Sequence, residues 1–222
     1  SGKTVLPSWC DSHTHLVYAG NREQEFVDRI NGLSYQEIAA SGGGIINSAK
    51  KLQATTQTVL FAQSEKRLQE VIQQGTGAIE IKSGYGLTTQ AEMKMLRVAK
   101  QLGEKYNITV KTTFLGAHAI PPEYKNNKDG YLDLVCGEMM EKISSENLAD
   151  YVDVFCEKGY FSVADTNRVL KAGKKQGLIA KTHVNQFTAM GGVAVSVKND
   201  ALSVDHLEVL NKQDIIALQK SQ

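Results

Sequence analysis

Short β-rich runs alternate with helix-like stretches along this chain, and that alternation limits its architecture more than any other feature. The β-rich runs are Val5–Cys10, Ala78–Lys82, Thr109–Leu115, Val152–Cys156, Leu178–Thr182 and Ala201–Val204. Between them, Ser64–Gln74 has apolar residues at Leu68, Val71 and Ile72, with Ser64 as its expected cap and Gly75 as its stop. Thr89–Lys105 spaces Met93, Leu96, Val98, Ala99 and Leu102 along one face, and Ser162–Lys175 and Lys212–Gln219 read the same way. Strands that alternate with helices become parallel neighbours with the helices outside them. The expected class is therefore α/β, as a (β/α) barrel or an open doubly wound sheet. Both place their chemistry at the C-terminal ends of the strands. A length of 222 residues suits one large domain.

Charge and composition remove several function classes. Lys plus Arg number 25 against 24 for Asp plus Glu, a net charge of +1, and no basic block appears, so no nucleic-acid partner is expected. A hydrophobic content of 41% is ordinary for a globular protein. No apolar run approaches the roughly 20 residues that cross a bilayer, and no signal-peptide pattern is visible, so no membrane partner is expected. The first residue is Ser rather than Met, which reads as a processed or trimmed start. Cys10, Cys136 and Cys156 form no CxxC pair and read as reduced thiols, which points to the cytoplasm.

Polar residues gather just past the β-rich runs. His13 and His15 come first, then Ser83-Gly84-Tyr85, Gly116-Ala117-His118, Glu157-Lys158, His183 and His206. Residues i and i+2 of a strand share a face, so His13 and His15 can grip one cation from one side, and neutral imidazole suits zinc or iron(II). A bare HxH is also compatible with two solvated or hydrogen-bonded side chains. Yet all five histidines of the chain fall at strand ends on this reading, which separately satisfied histidines would not do. Three other features have plainer readings. Ser41-Gly42-Gly43-Gly44 lacks the Lys-Ser/Thr of a phosphate loop and reads as a flexible loop. Lys82 reads as solvated or salt-bridged rather than as a Schiff-base lysine. Cys10 and Cys156, inside β-rich runs, read as inert packing. Asn126 to Gly130 reads as a polar turn.

These residues carry a family resemblance. Asp11-Ser12-His13-Thr14-His15-Leu16 resembles the metal-binding start of the amidohydrolase superfamily. The continuation His15-Leu16-Val17-Tyr18-Ala19-Gly20-Asn21-Arg22, with Lys82-Ser83-Gly84-Tyr85-Gly86-Leu87, Thr113 to Ala119 and Asp205-His206-Leu207, resembles the imidazolonepropionase family within it. The resemblance implies a TIM-type (β/α) barrel, one zinc or iron ion, and hydrolysis of a ring C–N bond of 4-imidazolone-5-propanoate to N-formimidoyl-L-glutamate in histidine degradation. It implies His13, His15 and His183 as metal ligands, and Arg22 on the substrate carboxylate. Tyr85 and His118 would touch the substrate, and His206 would assist proton transfer.

Two departures qualify what is implied. Gln186 stands where the family usually has Glu, and an amide cannot accept a proton as a carboxylate does, so Gln186 is expected to hold substrate beside His206 or a further Asp. The superfamily barrel has eight strands and an Asp ligand after the last, whereas six strands are expected here and neither Asp205 nor Asp214 matches that ligand. Residues 1–222 are thus expected to be a partial barrel, without its last strands and without the flanking β-sandwich domain. Metal is expected to be weakly held or absent in such a piece, with little turnover. Its open edges invite pairing into a homodimer. The alternatives are another single-metal amidohydrolase acting on a different cyclic amide, and a non-catalytic truncated α/β domain.

Overall fold

The computed structural model describes residues 2–34, 37 and 43–221. In chain order the elements are β1 (Trp9–Thr14), α1 (Glu23–Ile30), α2 (Gly44–Ala54), α3 (Gln57–Gln73), β2 (Thr76–Lys82), α4 (Thr89–Tyr106) and β3 (Thr109–Ala117). After β3 come α5 (Lys128–Leu134), a π turn (Val135–Met139), α6 (Met140–Ser145), β4 (Tyr151–Cys156), α7 (Val163–Lys175), β5 (Ile179–Val184), α8 (Gly192–Lys198), β6 (Ser203–His206) and α9 (Lys212–Lys220).

The six strands form one parallel sheet in the order β1-β2-β3-β4-β5-β6. Spatial order equals chain order, with no reversal, so the open doubly wound alternative is excluded and the architecture is that of a TIM-type barrel. The sheet curls back on itself. Lys181 Nζ on β5 donates to the Ser12 carbonyl on β1 at 3.1 Å, and Asp205 on β6 lies 3.0 Å from His13 on β1. No ladder joins β6 to β1 among the described residues. The result is a nearly closed, partial barrel of six strands.

Some strand ends differ from the sequence reading, while β2 and β4 end at Lys82 and Cys156 as read. The first strand does not begin at Val5; Val5 and Leu6 are 94% and 73% exposed and precede it. Their apolar character suggested a strand, but pairing with β2 begins only at Trp9 opposite Thr76. Two of the other runs extend past their expected ends to take in the histidines: β5 includes His183 and β6 ends on His206. Among helices, Ser64 is not a cap. It is buried in mid-α3, because the apolar stripe continues back through the buried Leu60, and Thr56 caps the helix instead, its side chain accepting from the Val59 N–H. Ser162 caps α7 in a reciprocal box with Asp165. The polar turn near residue 127 holds a cap as well, since the Asn127 side chain accepts from Gly130 at 3.0 Å to start α5. Of the glycine run, Ser41 and Gly42 lie outside the described residues, and Gly43 and Gly44 open α2. Cys10 is exposed on β1, not packed as expected, whereas Cys156 is buried.

Two apolar clusters hold the helices against the sheet. One joins Phe114, Val152 and Val154 to Tyr131, Val169 and Leu170. The other joins Ile79 and Ile81 to Leu60, Leu68, Met95 and Val98. Helix α7 lies so close on β4 that a Cβ at Gly173 would stand 2.3 Å from Val152 Cγ1, far inside van der Waals contact. Among the described residues, no helix is long and apolar enough to cross a membrane.

Candidate metal centre and active site

The five histidines are placed by four different strands, yet they meet at one rim. His13 lies in β1 and His15 one residue past its end. Their ring centroids are 5.5 Å apart, and His183, from the end of β5, stands 4.5 Å from His13 and 5.8 Å from His15. His206, from the end of β6, is 5.2 Å from His183 and 5.4 Å from His13. His118, just after β3, stacks on His15 at 5.2 Å with the rings nearly parallel at 7°. The expected trio of His13, His15 and His183 is thus brought together. One difference of detail emerges: the donor atoms of His13, His183 and His206 lie within 4.8 Å of one another, as do those of Asp153, His183 and Asp205, and His15 belongs to neither close group.

The chemistry of this donor set fits a cation. His15 Nδ1 and both nitrogens of His183 are buried with no well-aligned hydrogen-bond partner. A buried polar atom left unpaired costs about 1–3 kcal/mol, so such orphaned imidazole nitrogens at one rim mark a place where something electrophilic belongs. Both rings are held neutral, the form that offers a lone pair. Burial pushes His15 well below its ordinary pKa, and His118 and His183 beside it push further. Burial lowers His183 likewise, against the opposing pull of Asp153.

Beneath the rim lies a charged layer inside the barrel. Lys82 Nζ is fully buried and touches Glu80 at 2.6 Å, Asp153 at 2.9 Å and Asp205 at 3.1 Å. Lys181 also pairs with Glu80. Lys82 is salt-bridged, then, and not solvated. Burial alone would lower its pKa, but the carboxylates of Asp153, Glu80 and Asp205 outweigh that and raise it. Burial would raise Asp153, yet its contacts with the His183 ring and the Lys82 ammonium hold it far below the usual carboxylate range. Asp205 is drawn down to about 2 against its burial, by His13 first and then by the two lysines. Two ammonium groups against three carboxylates leave one negative charge under the histidines, which favours a cation above them. Asp214 lies apart, capping α9 and accepting from Asn185 at 2.9 Å.

The neighbouring loop is equally fixed. Glu92, buried in the first turn of α4, accepts from the backbone N–H of Gly84 at 2.9 Å, Gly86 at 2.7 Å and Leu87 at 2.8 Å. This shapes the Ser83-Gly84-Tyr85 turn. Gly84 has φ +105°, and a Cβ there would meet His118 Nδ1 at 2.9 Å, so only glycine suits the position. His118 Nδ1 lies 3.0 Å from the Gly84 carbonyl, which only accepts. Nδ1 therefore carries the proton and Nε2 the lone pair. Burial first, and then the neighbouring His183 ring, takes the His118 pKa down to about 3, so the ring stays neutral. Tyr85 sets its ring 5.3 Å from His15 and 5.4 Å from His118. Gln186 is half-buried two residues past β5. Arg22 stands at the start of α1, where its Nε donates to Glu25 at 2.6 Å, and the other oxygen of Glu25 accepts from the Gly44 N–H.

The charged layer went unread in the sequence. Its signal is there: Glu80, Lys82, Asp153 and Lys181 each interrupt an apolar strand, and a lone charge in such a run is seldom buried without a partner.

No family model matches the chain. Curated relatives match it end to end. It is 64% identical over 219 residues to "Imidazolonepropionase" of Christiangramia forsetii, covering 99% of this chain and 53% of that protein. It is 62% identical over 221 residues to the protein of that name from Flavobacterium psychrophilum, covering 100% of this chain and 54% of the relative. The chain therefore spans about half the length of the curated relatives it matches, and its resemblance to imidazolonepropionases runs along its whole length. In fold it is similar to a 5-methylcytosine deaminase from Klebsiella pneumoniae, with TM-score 0.63 and 12% identity over 88% of this chain and 44% of that one. It is likewise similar to an amidohydrolase from a Sargasso Sea environmental sample, with TM-score 0.56 and 13% identity over 97% of this chain and 48% of that one.

Proposed function

We propose, on the premise of that homology, that this segment is the metal-holding barrel of an enzyme that hydrolyses 4-imidazolone-5-propanoate to N-formimidoyl-L-glutamate. The observation that carries the reading is the meeting of five histidines at one barrel rim, with buried, unpartnered nitrogens on His15 and His183. His13, His15 and His183 would hold one zinc or iron(II) ion, with His206 beside them. When bound, such an ion supplies hydroxide at neutral pH, by lowering the pKa of water from near 16 to about 7, and polarises the ring carbonyl.

The chain's own residues would do the rest. Tyr85 and His118 flank one side of the rim and would bracket the flat imidazolone ring. His118 presents a lone pair at Nε2, so it accepts a hydrogen bond from a ring N–H and does not donate to the carbonyl. His206, partly exposed at the open side, would carry a proton to the departing ring nitrogen. Arg22 would exchange its Glu25 contact for the propionate carboxylate, which the guanidinium can grip at two points. Gln186 would hold the substrate by hydrogen bonds, since an amide cannot serve as the base. The β-sandwich domain and further barrel strands would lie outside this segment. A cytoplasmic location and pairing of two copies complete the proposal.

The test is a chimera in which this chain replaces the matching half of the Christiangramia forsetii relative. The metal-loaded chimera should open the imidazolone ring, followed by loss of its absorbance, and Arg22→Ala should mainly raise KM. A folded, metal-loaded chimera without turnover would overturn the reading.

A further inference from the structure

We infer that Asp153 is the positioning residue of His183: its carboxylate keeps the imidazole proton on Nδ1 and so presents Nε2, as a lone pair, to the point where the histidines meet. The inference rests on the reading of His183 as a metal ligand, but Asp153 was assigned no part in that reading.

The geometry is one-sided. Asp153 Oδ2 lies 2.8 Å from His183 Nδ1 and also receives Lys82 Nζ at 2.9 Å. Its other oxygen accepts from the backbone N–H of His183 at 3.0 Å and of Val154 at 2.6 Å. Every group within hydrogen-bond distance of this carboxylate is thus a donor or must act as one, and an ionised carboxylate only accepts. Neutral imidazole has a single N–H. Both ring nitrogens are buried without a well-aligned partner, but only Nδ1 has a carboxylate oxygen within 2.8 Å, so with the proton drawn to Nδ1 it is Nε2 that is left as the lone pair. Nδ1 lies within hydrogen-bond distance of Oδ2, although the two are not well aligned. The carboxylate itself has nowhere to go, because Lys82 is pinned in turn by Glu80 at 2.6 Å. Asp153 and the Lys82 side chain are fully buried, so no water takes over either role.

Asparagine is nearly the same shape and cannot do the same work. Its NH2 group must face either the two backbone N–H groups or the Lys82 ammonium and Nδ1. In the second orientation a donor confronts Nδ1, and the imidazole relieves the conflict by moving its proton to Nε2, where it blocks a metal. In the first orientation the fold suffers and Nδ1–H survives. The orientation that faces Nδ1 is favoured, because two fixed backbone donors cannot retreat while the lysine chain can.

The experiment reads proton placement directly. Long-range proton–nitrogen spectra of the histidine side chains are recorded on the protein freed of metal by chelation, with the His183 signal assigned by its loss in His183→Gln. The wild type should show His183 with its proton on Nδ1. Asp153→Asn should move that proton to Nε2 and weaken cobalt(II) binding by about 10–100-fold, while the His118 signal, fixed by Gly84, stays unchanged as a check on the fold. A wild-type His183 protonated on Nε2 would overturn the inference without any variant, which keeps it testable if Asp153→Asn does not fold. Cobalt affinity of a folded Asp153→Asn within about threefold of wild type would overturn it too. Neither result depends on turnover, so loss of the proposed activity and loss of this inference are separable.

Discussion

The wall of the barrel built from β3, β4 and β5 and the seam where β6 faces β1 contribute histidines to the same rim, but they hold them differently. On the wall, Val152, Val154 and Cys156 have no exposure, and His183 and His118 are buried with them. On the seam, Trp9 is 69% and Leu202 61% exposed, and the side chains of His13 and His206 remain 27% and 21% accessible. The wall histidines are oriented by buried neighbours, Asp153 and the Gly84 carbonyl. The seam histidines are oriented by Asp205 and Glu208 across more open ground. Half of the site is therefore set by packing, and half depends on contacts that water can reach.

The largest expected contrast is in stability. Phe114→Ala removes a ring from the fully buried wall and should destabilise by about 3–5 kcal/mol in urea unfolding. Leu202→Ala on the seam should stay within about 0.5 kcal/mol. Similar costs at the two positions would mean that the seam is as well packed as the wall. Next comes metal linkage. Zinc at about 100 times its dissociation constant should stabilise by about 2.7 kcal/mol, and chelation should return the protein to its metal-free midpoint. His183→Ala should abolish that gain, whereas His206→Ala should only reduce it; equal effects would erase the distinction between wall and seam.

A third contrast lies in the turn beside the rim. Glu92→Gln replaces one accepting oxygen with a donor facing backbone N–H groups and should cost about 1–3 kcal/mol, with faster hydrogen exchange at Gly84, Gly86 and Leu87. The smallest effect concerns acid. Asp150 ties β4 to β3 through Lys111 and the Thr112 N–H, and though burial works against it, these partners lower its pKa below the ordinary carboxylate value. A depressed carboxylate gives stability that is present above its unfolded pKa and lost as pH falls through the folded one. Asp150→Asn should therefore flatten the stability profile below about pH 4 and leave its shape at neutral pH unchanged.

Legibility in the sequence follows the same division. The alternation of β-rich and helical runs showed six parallel strands, because a strand buried on both faces must be written in apolar residues. The five histidines stood out because they closed those runs. Apolar content at Val5 signals a strand, yet Val5 is exposed and pairing begins only at Trp9, because which residues find a partner strand is set by the fold and not by local composition. Ser64 was misread as a cap for a similar reason: Ser64-Glu65-Lys66 resembles a first turn, while the burial of Leu60 that extends α3 is decided by its contact with the sheet. Asp153 and Lys82 each stand out as a charge in an apolar run, but they are 71 positions apart, so which partner each one finds is decided only by the fold.

The most direct measurement is anomalous diffraction from crystals grown in excess zinc. The account predicts a single strong peak at the rim, about 2.0–2.1 Å from nitrogens of His13, His15 and His183. A peak that touches none of them, or rings turned toward separate surroundings with no ion between, would contradict it.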